Sequence, residues 1–360
     1  MPTACEDFIQ YWSAARLFLS GLNPYDATAL QSLQTSVCGI NHSTRLPWVP
    51  PHVILASLPF ALLPPGIAVL IWTLLSLAAV WPILKHDSQS TPLLIAAATG
   101  FLFLPLLVCL GLGQLGAFLG LGSWLIWRGV ERNQLLAISA GLFLTSFKPH
   151  LFALLYLFLL VSLPPNQRRI LCQGGASVLL LLLLCWLASP DIWINWLSAL
   201  AGSRVNAATV SEWMPHTISG LLRGSFLTSS PPGLLSVGLI TFGCGSVLFA
   251  FLIYRNRLSF APGNTFSQFF LAVAWGYLIS PYGWLQDQVI LLPIFVRRIA
   301  AQPTHHRKIQ LLLALGATSL GVGIAVLFSS APLLRSAIMT LVFPLAAMLL
   351  ILLPKPQCSN

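Results

Sequence analysis

Seven apolar runs of roughly twenty residues, near 65–84, 91–110, 170–188, 233–254, 266–281, 309–328 and 333–353, are each long enough to cross a bilayer as a helix. A water-soluble globule is excluded by the surface such a globule would need. Only 7% of the residues are charged, against about 25% in an ordinary soluble domain, and mean hydropathy is +0.84. The runs are Leu-rich and lack the alternating pattern of a membrane barrel, so the spans should be helices that satisfy their own backbone hydrogen bonds. The expected fold class is all-α, a polytopic transmembrane helical bundle. Shorter runs at 115–127, 134–147, 150–163 and 288–296 are bounded by charges or by Pro and Gly, and bring the total to about 11 if each crosses. The apolar segment 52–63, cut off by Pro64 and Pro65, reads as an interfacial helix or the lead-in to the first span.

The bases test that count, because short cytoplasmic loops collect Lys and Arg. Eleven crossings place Lys85, Arg128, Arg132, Arg168, Arg169, Arg255, Arg257, Arg297, Arg298, Arg307, Lys308 and Lys355 on one side with only Asp87 and Glu131. The other side then holds Arg16, Arg45, Lys148, Arg204, Arg223 and Arg335 against Glu6, Asp7, Asp26, Asp191, Glu212 and Asp287. The net charge of +10 is therefore an insertion signal, and nucleic-acid binding is an unnecessary reading of it. Four regions follow: 1–51 as an exocytoplasmic first loop with an amphipathic helix, 52–188 as transmembrane core, 189–232 as an exocytoplasmic loop, and 233–360 as C-terminal transmembrane helices. The expected location is the plasma membrane, multi-pass, with the acids that could do chemistry outside.

Cys109, Cys172, Cys185 and Cys244 lie in or beside spans and read as buried small apolar residues, while Cys358 is in the tail. Cys5 and Cys38 share the oxidising side, so a disulfide is permitted, although spacing alone does not show its geometry. No metal site is evident: there is no CxxC and no HExxH, and His305 and His306 sit in a basic loop. GLGQLG at 111–116 matches GxGxxG literally, but no strand precedes it and no acid follows at the right distance, which rejects a dinucleotide site. Its glycines, with Gly116 and Gly120 spaced as GxxxG, suit a close approach of two helices.

Phe8, Tyr11, Trp12, Ala15, Phe18 and Leu19 recur at helical spacing opposite Gln10, Ser13 and Arg16, ahead of Gly21, which predicts an amphipathic helix lying on the membrane. Asp7 stands three residues before Gln10, where it either caps this helix or does chemistry. Asp26 reads as the cap of a helix that starts at Ala27.

DFIQYWSAARLFLSGLNPYD at 7–26 resembles the first exocytoplasmic loop of glycosyltransferase family 87, polytopic enzymes of the GT-C fold that use lipid-phosphate-linked sugars. WVPPH at 48–52 resembles the family's aromatic/Pro-Pro element and GLGQLG its Gly-Gln turn. LTSFKPHLFALL at 144–155 is similar to its Lys-Pro element, and ISPYGWLQDQVILLP at 279–293 to its Ser-Pro-aromatic element. The resemblance covers most of the chain in the family's order. It also implies a transmembrane helix ahead of the acidic loop; six residues precede Asp7 here, so a leading helix is expected to be missing from this sequence. Gln286 to Gln288 stand where some relatives carry His.

The resemblance implies transfer of a hexose, mannose being common, from polyprenyl phosphate to a hydroxyl on a glycolipid or glycan acceptor, with inversion. Such a reaction needs a base for the acceptor proton and positive charge for the phosphate that leaves. A phosphate departs as a stable anion, so one carboxylate suffices, unlike glycoside hydrolysis. Asp7 is the expected base. Lys148, a costly cation between two apolar runs, is expected to meet the lipid phosphate with His150 and Arg204 as helpers, or else to snorkel to water. Asp287 orients sugar or acceptor, or caps the next helix. Trp186, Trp193, Trp196 and Trp213 either anchor at the headgroups or stack on sugars, and Trp213 is the one assigned to substrate. No cofactor is expected beyond the donor, and a divalent metal is left open. The competing classes are a transporter or flippase, which would carry mid-span charges and internal repeats, and a non-catalytic subunit of an envelope-assembly system, which would tolerate loss of Asp7 and Lys148.

Overall fold

The computed structural model describes residues 5–40, 43–86, 92–202, 214–225, 233–255 and 265–352, and all regular structure among them is helical. From the N-terminus, α1 (Phe8–Leu19), α2 (Ala27–Cys38) and the short α3 (Pro51–Ala56) and α4 (Leu58–Ala61) lead into α5 (Pro65–His86). Then come α6 (Leu93–Leu102), α7 (Leu104–Leu112), α8 (Gly116–Arg132), α9 (Leu135–Thr145), α10 (Ala153–Ser162), α11 (Pro165–Ala188) and α12 (Pro190–Ala201). Among the described residues, five helices are long and apolar enough to span a membrane: α5, α11, Leu234–Arg255, His305–Phe328 and Pro332–Leu352. The bent pair α6–α7 makes a sixth if it counts as one span, while α9, α10 and Thr265–Ile279 are apolar but shorter. Large apolar side chains such as Leu179, Leu184 and Leu187 on α11 face outward, as a lipid-contacting surface requires. The cysteines follow suit: Cys109 is buried, but Cys172 and Cys244 are exposed and Cys185 is half-buried, because the outer faces of spans look to lipid rather than to a core.

The bend in α6–α7 has a local cause. Phe103 is extended, Pro105 sits in the first turn of α7, and the two axes diverge by 69°. Ser319, from His305–Phe328, closes the break by donating to Leu102 O at 2.6 Å and accepting from Leu104 N at 3.3 Å. The backbone groups freed by the bend are thus satisfied without water. The bend turns the C-terminus of α7, and the Gly-Gln turn after it, into the protein.

The N-terminal helix is packed into the protein on its expected polar face as well as its apolar one. Phe8 through Ala15 are all buried, including Gln10 and Ser13 of the expected polar face. That face is satisfied internally: Ser13 Oγ donates to Ile9 O at 2.7 Å and accepts from Gln34 Nε2 of α2 at 2.9 Å. Trp12 Nε1 reaches Leu63 O at 3.0 Å, and Tyr11 stacks on Trp72 of α5 at 5.6 Å. The Cys5–Cys38 disulfide, with Cα atoms 5.7 Å apart, ties the start of α1 to the end of α2. Asp26 accepts from Ala29 N at 2.8 Å and caps α2 as expected.

The centre of the bundle is the segment expected as a short run near 288–296. Leu285–Leu291 forms a 3-10 helix whose residues are all buried, followed by the helix Leu292–Ala300. It packs against α7, α8 and Pro332–Leu352. Close approach to α8 depends on two glycines. A Cβ on Gly116 would sit 2.1 Å from Gln286 O, and one on Gly120 would sit 3.2 Å from Val289 O. The GxxxG reading therefore holds, with this central segment as the partner.

Candidate active site

Asp7 stands at the N-cap of α1 but makes no capping bond, so the capping-box reading fails. Its Oδ2 instead accepts from Gln114 Nε2 at 2.8 Å, and Arg45 Nε lies 3.7 Å from its Oδ1. Its side chain is 19% exposed. Gln114 takes a second bond, accepting from Tyr11 OH at 2.8 Å. This bridge exists because Gly113, at φ +68°, ends α7 in the left-handed region, and because its missing Cβ would sit 2.6 Å from Phe8 Cβ. Arg45 is placed by its backbone: Gln34 accepts from Arg45 N and donates to Arg45 O, both at 2.8 Å. Its side chain is 42% exposed and reaches Glu6 at 3.8 Å as well.

The second half of the site is buried. Lys148 Nζ donates to Asp287 Oδ1 at 2.7 Å, with side-chain exposures of 8% and 0%. Lys148 does not snorkel to water. Asp287 Oδ2 accepts from Trp284 N at 3.0 Å, so this carboxylate both caps the central 3-10 helix and holds the lysine. Among the described residues, one of the three ammonium protons of Lys148 is used in this way. His150 follows in the 3-10 turn Pro149–Leu151 and stacks on Tyr282 at 3.9 Å. Its Nε2 is buried with no partner among the described residues, and burial, reinforced by Lys148, pushes its pKa down to about 3. The ring is therefore neutral at physiological pH.

A frame of hydrogen bonds shapes the Ser-Pro-Tyr-Gly-Trp turn that carries Tyr282 and Trp284. His216 N donates to Gly283 O at 2.7 Å, and His216 Nδ1 accepts from Leu285 N at 2.9 Å. Tyr277 OH donates to His216 O at 2.7 Å, and Ser280 Oγ donates to Tyr282 O at 3.0 Å. Gln288 donates to Tyr277 OH and to Met339 O.

The two halves meet at the Gly-Gln turn. Gln114 holds Asp7, and two residues later Gly116 lies against the carbonyl of Gln286, next to Asp287. Tyr11 registers both carboxylates: burial first, then Asp7 and Asp287, raise its phenol well above the ordinary range. Asp7, Lys148, His150 and Asp287, spread over the whole chain, are thus drawn to one region. Arg204 and Trp213 lie outside the described residues. Trp193 and Trp196 are half-buried on α12, packed over His52 rather than standing free. Gln114, Tyr11 and Arg45 are the members that sequence reasoning did not assign. Gln114 had one signal, as a lone amide between two apolar runs. Among the described residues, no three His, Cys, Asp or Glu side chains gather so as to hold a metal ion.

No curated protein and no solved structure gives a match to the chain. The family model described as glycosyltransferase family 87 matches residues 49–281, a stretch that includes Pro50 and Pro51, the Gly-Gln turn and Lys148, and ends at Ser280 and Pro281, while Asp7 and Asp287 lie outside it. With well over half of the chain matched and a multi-pass helical fold around the site, the chain belongs to glycosyltransferase family 87 and is a membrane glycosyltransferase.

Proposed function

We propose that this protein has a GT-C type bundle and transfers a hexose, mannose first among candidates, from polyprenyl phosphate to a hydroxyl of a glycolipid or glycan, with inversion. The observation that carries the reading is the junction at Gln114 and Gly116, which joins a half-exposed carboxylate to a buried lysine. Asp7 takes the acceptor proton, and Gln114 aims its carboxylate through Oδ2, leaving Oδ1 without a short hydrogen bond among the described residues. Lys148, held by Asp287, turns its two remaining protons to the donor phosphate and stabilises the charge that develops as the phosphate leaves. His150, uncharged and with an unpartnered Nε2, offers a neutral hydrogen bond to the same oxygens or to the sugar. Arg204 and Trp213 are retained as contacts for phosphate and substrate. Asp287 acts through Lys148 and is a positioning residue.

The Cys5–Cys38 disulfide supports an exocytoplasmic site in the plasma membrane, since such bonds persist in oxidising compartments. The test is transfer of labelled mannose from polyprenyl phosphate mannose to membrane glycolipids by membranes carrying the protein, with glucose and arabinose donors in parallel. Asp7→Asn is expected to abolish transfer and leave the protein inserted. Unchanged turnover removes Asp7 as the base, and transfer from none of these donors removes the lipid-phosphate reading.

A further inference from the structure

His52 opens α3 just after Pro51, is 4% exposed, and lies close to the Lys148 turn without belonging to the machinery above. Its Nε2 is 3.0 Å from Ser146 Oγ, and that hydroxyl gives its only proton to Phe143 O at 2.6 Å. Ser146 can then only accept, so His52 carries its proton on Nε2 and presents a bare lone pair at Nδ1. That Nδ1 is buried and has no partner among the described residues. Trp193 of α12 lies parallel to the His52 ring, 6.2 Å away at 20°, and Trp196 packs edge-on to Trp193 at 6.1 Å. The indole Nε1 atoms of both are likewise buried and unpartnered among the described residues. One acceptor and two donors thus stand unsatisfied among aromatic rings, although buried polar groups are nearly always paired.

A pyranose ring has the complementary chemistry. Its hydroxyls each donate and accept, and its C–H face packs on aromatic surfaces, whereas a lipid chain would leave all three polar groups unpaired. We propose that His52, Trp193 and Trp196 form a sugar subsite, with a hydroxyl donating to His52 Nδ1 and hydroxyl oxygens accepting from the two indoles. This rests on the sugar-transfer reading above and extends it from the phosphate to the ring being moved or elongated.

The ring belongs to the donor or to the acceptor, and the experiment separates the two. Binding of farnesyl phosphate mannose, as donor probe, and of octyl mannoside and octyl glucoside, as acceptor probes, is measured on the full chain in nanodiscs, with sugar-free farnesyl phosphate as control. His52→Gln keeps an amide donor for Ser146 and removes the lone pair. Trp193→Phe and Trp196→Phe keep a ring and remove the N–H. Each is expected to weaken one class of sugar probe about tenfold, with farnesyl phosphate unaffected and thermal unfolding close to wild type. A loss confined to farnesyl phosphate mannose assigns the subsite to the donor, and a loss with octyl glycosides assigns it to the acceptor. With 15N-histidine labelling, the His52 Nδ1 resonance should shift upfield when the bound probe donates to it, a readout that a purely structural role does not move. Equal binding by all variants, a static Nδ1 resonance, or no sugar probe binding to wild type overturns the subsite. Transfer by Asp7 and Lys148 is scored separately, so either idea can fail alone.

Discussion

Asp7 and Asp287 are carboxylates in opposite settings around the same Gly-Gln turn. Asp7 is 19% exposed and holds one short hydrogen bond, from a neutral amide, with Arg45 standing off at 3.7 Å. Asp287 is fully buried, and both of its oxygens are committed, one to Lys148 and one to a backbone N–H. A base must accept a proton from a ligand, so it needs a free lone pair and a path to it. A carboxylate locked to a buried ammonium has neither. The difference teaches that charge in an apolar chain marks importance but not kind, and that partners and access separate reactive groups from supporting ones.

The comparison breaks most visibly under matched substitutions. Asp7→Asn should lower transfer by about 10²–10⁴-fold with little change in unfolding, since it leaves no buried charge alone. Asp287→Asn should instead destabilise the protein by about 3–5 kcal/mol, because Lys148 is stranded without its counter-ion. Replacing both partners, Lys148→Met with Asp287→Leu, should recover most of that stability and none of the transfer. Thermal unfolding in detergent and transfer in membranes read the two columns; a stability loss for Asp7→Asn matching that for Asp287→Asn would collapse the distinction.

The disulfide should matter on the Asp7 side alone. Cys5→Ser with Cys38→Ser frees the start of α1 from α2, a closed loop with a sequence separation of 33. The expected loss is about 2–4 kcal/mol, with Asp7 less well aimed and transfer reduced. Limited proteolysis near residue 5 should speed up while the Lys148 turn stays protected, and uniform loosening of both regions would argue against two separately held halves.

Much of the fold was legible and some of it was not, for physical reasons. The long spans show because hydrocarbon thickness imposes a length that hydrophobicity reports directly. Asp7, Lys148, His150 and Asp287 could each be picked out as polar groups that an apolar chain rarely keeps. Their pairing could not, since Lys148 and Asp287 lie 139 residues apart and nothing local links them. The burial of α1 was hidden because its polar face is satisfied by Gln34, a tertiary partner. The run 288–296 looked like a short crossing because its neighbours, not its own length, make the central segment buried. Gln114 and His52 escaped because a neutral side chain carries no charge to announce it.

A smaller effect probes the junction itself. Gly116→Ala puts a methyl 2.1 Å from Gln286 O, a backbone atom that cannot turn aside, whereas an added methyl at Gly111 meets nothing within 4 Å. The first should cost about 1–3 kcal/mol and lower transfer by displacing the residues on either side, while Gly111→Ala should be tolerated. Equal behaviour of the two variants in unfolding and transfer assays would mean that the close approach of α8 to the central helix is not what joins the halves.

The mildest test is acidity, and it acts on the Asp287 side. Burial holds the His216 ring down to about 4, and His216 Nδ1 must stay unprotonated to accept from Leu285 N. The unfolded value is about 6.5. Since the folded value is the lower one, the stability contribution is complete above 6.5 and is lost as pH falls from there toward 4, because the unfolded chain binds the proton first. The expected loss is about 1 kcal/mol by pH 5.5, and burial gives His52 and His150 the same sign. His216→Asn, which offers an acceptor where Nδ1 stood, should make the profile shallower between pH 7.5 and 4.5, leaving the contributions of His52 and His150, while preserving the turn that seats Asp287. A profile that rises on acidification, or that ignores this substitution, would show that the buried half is not held together by a neutral His216.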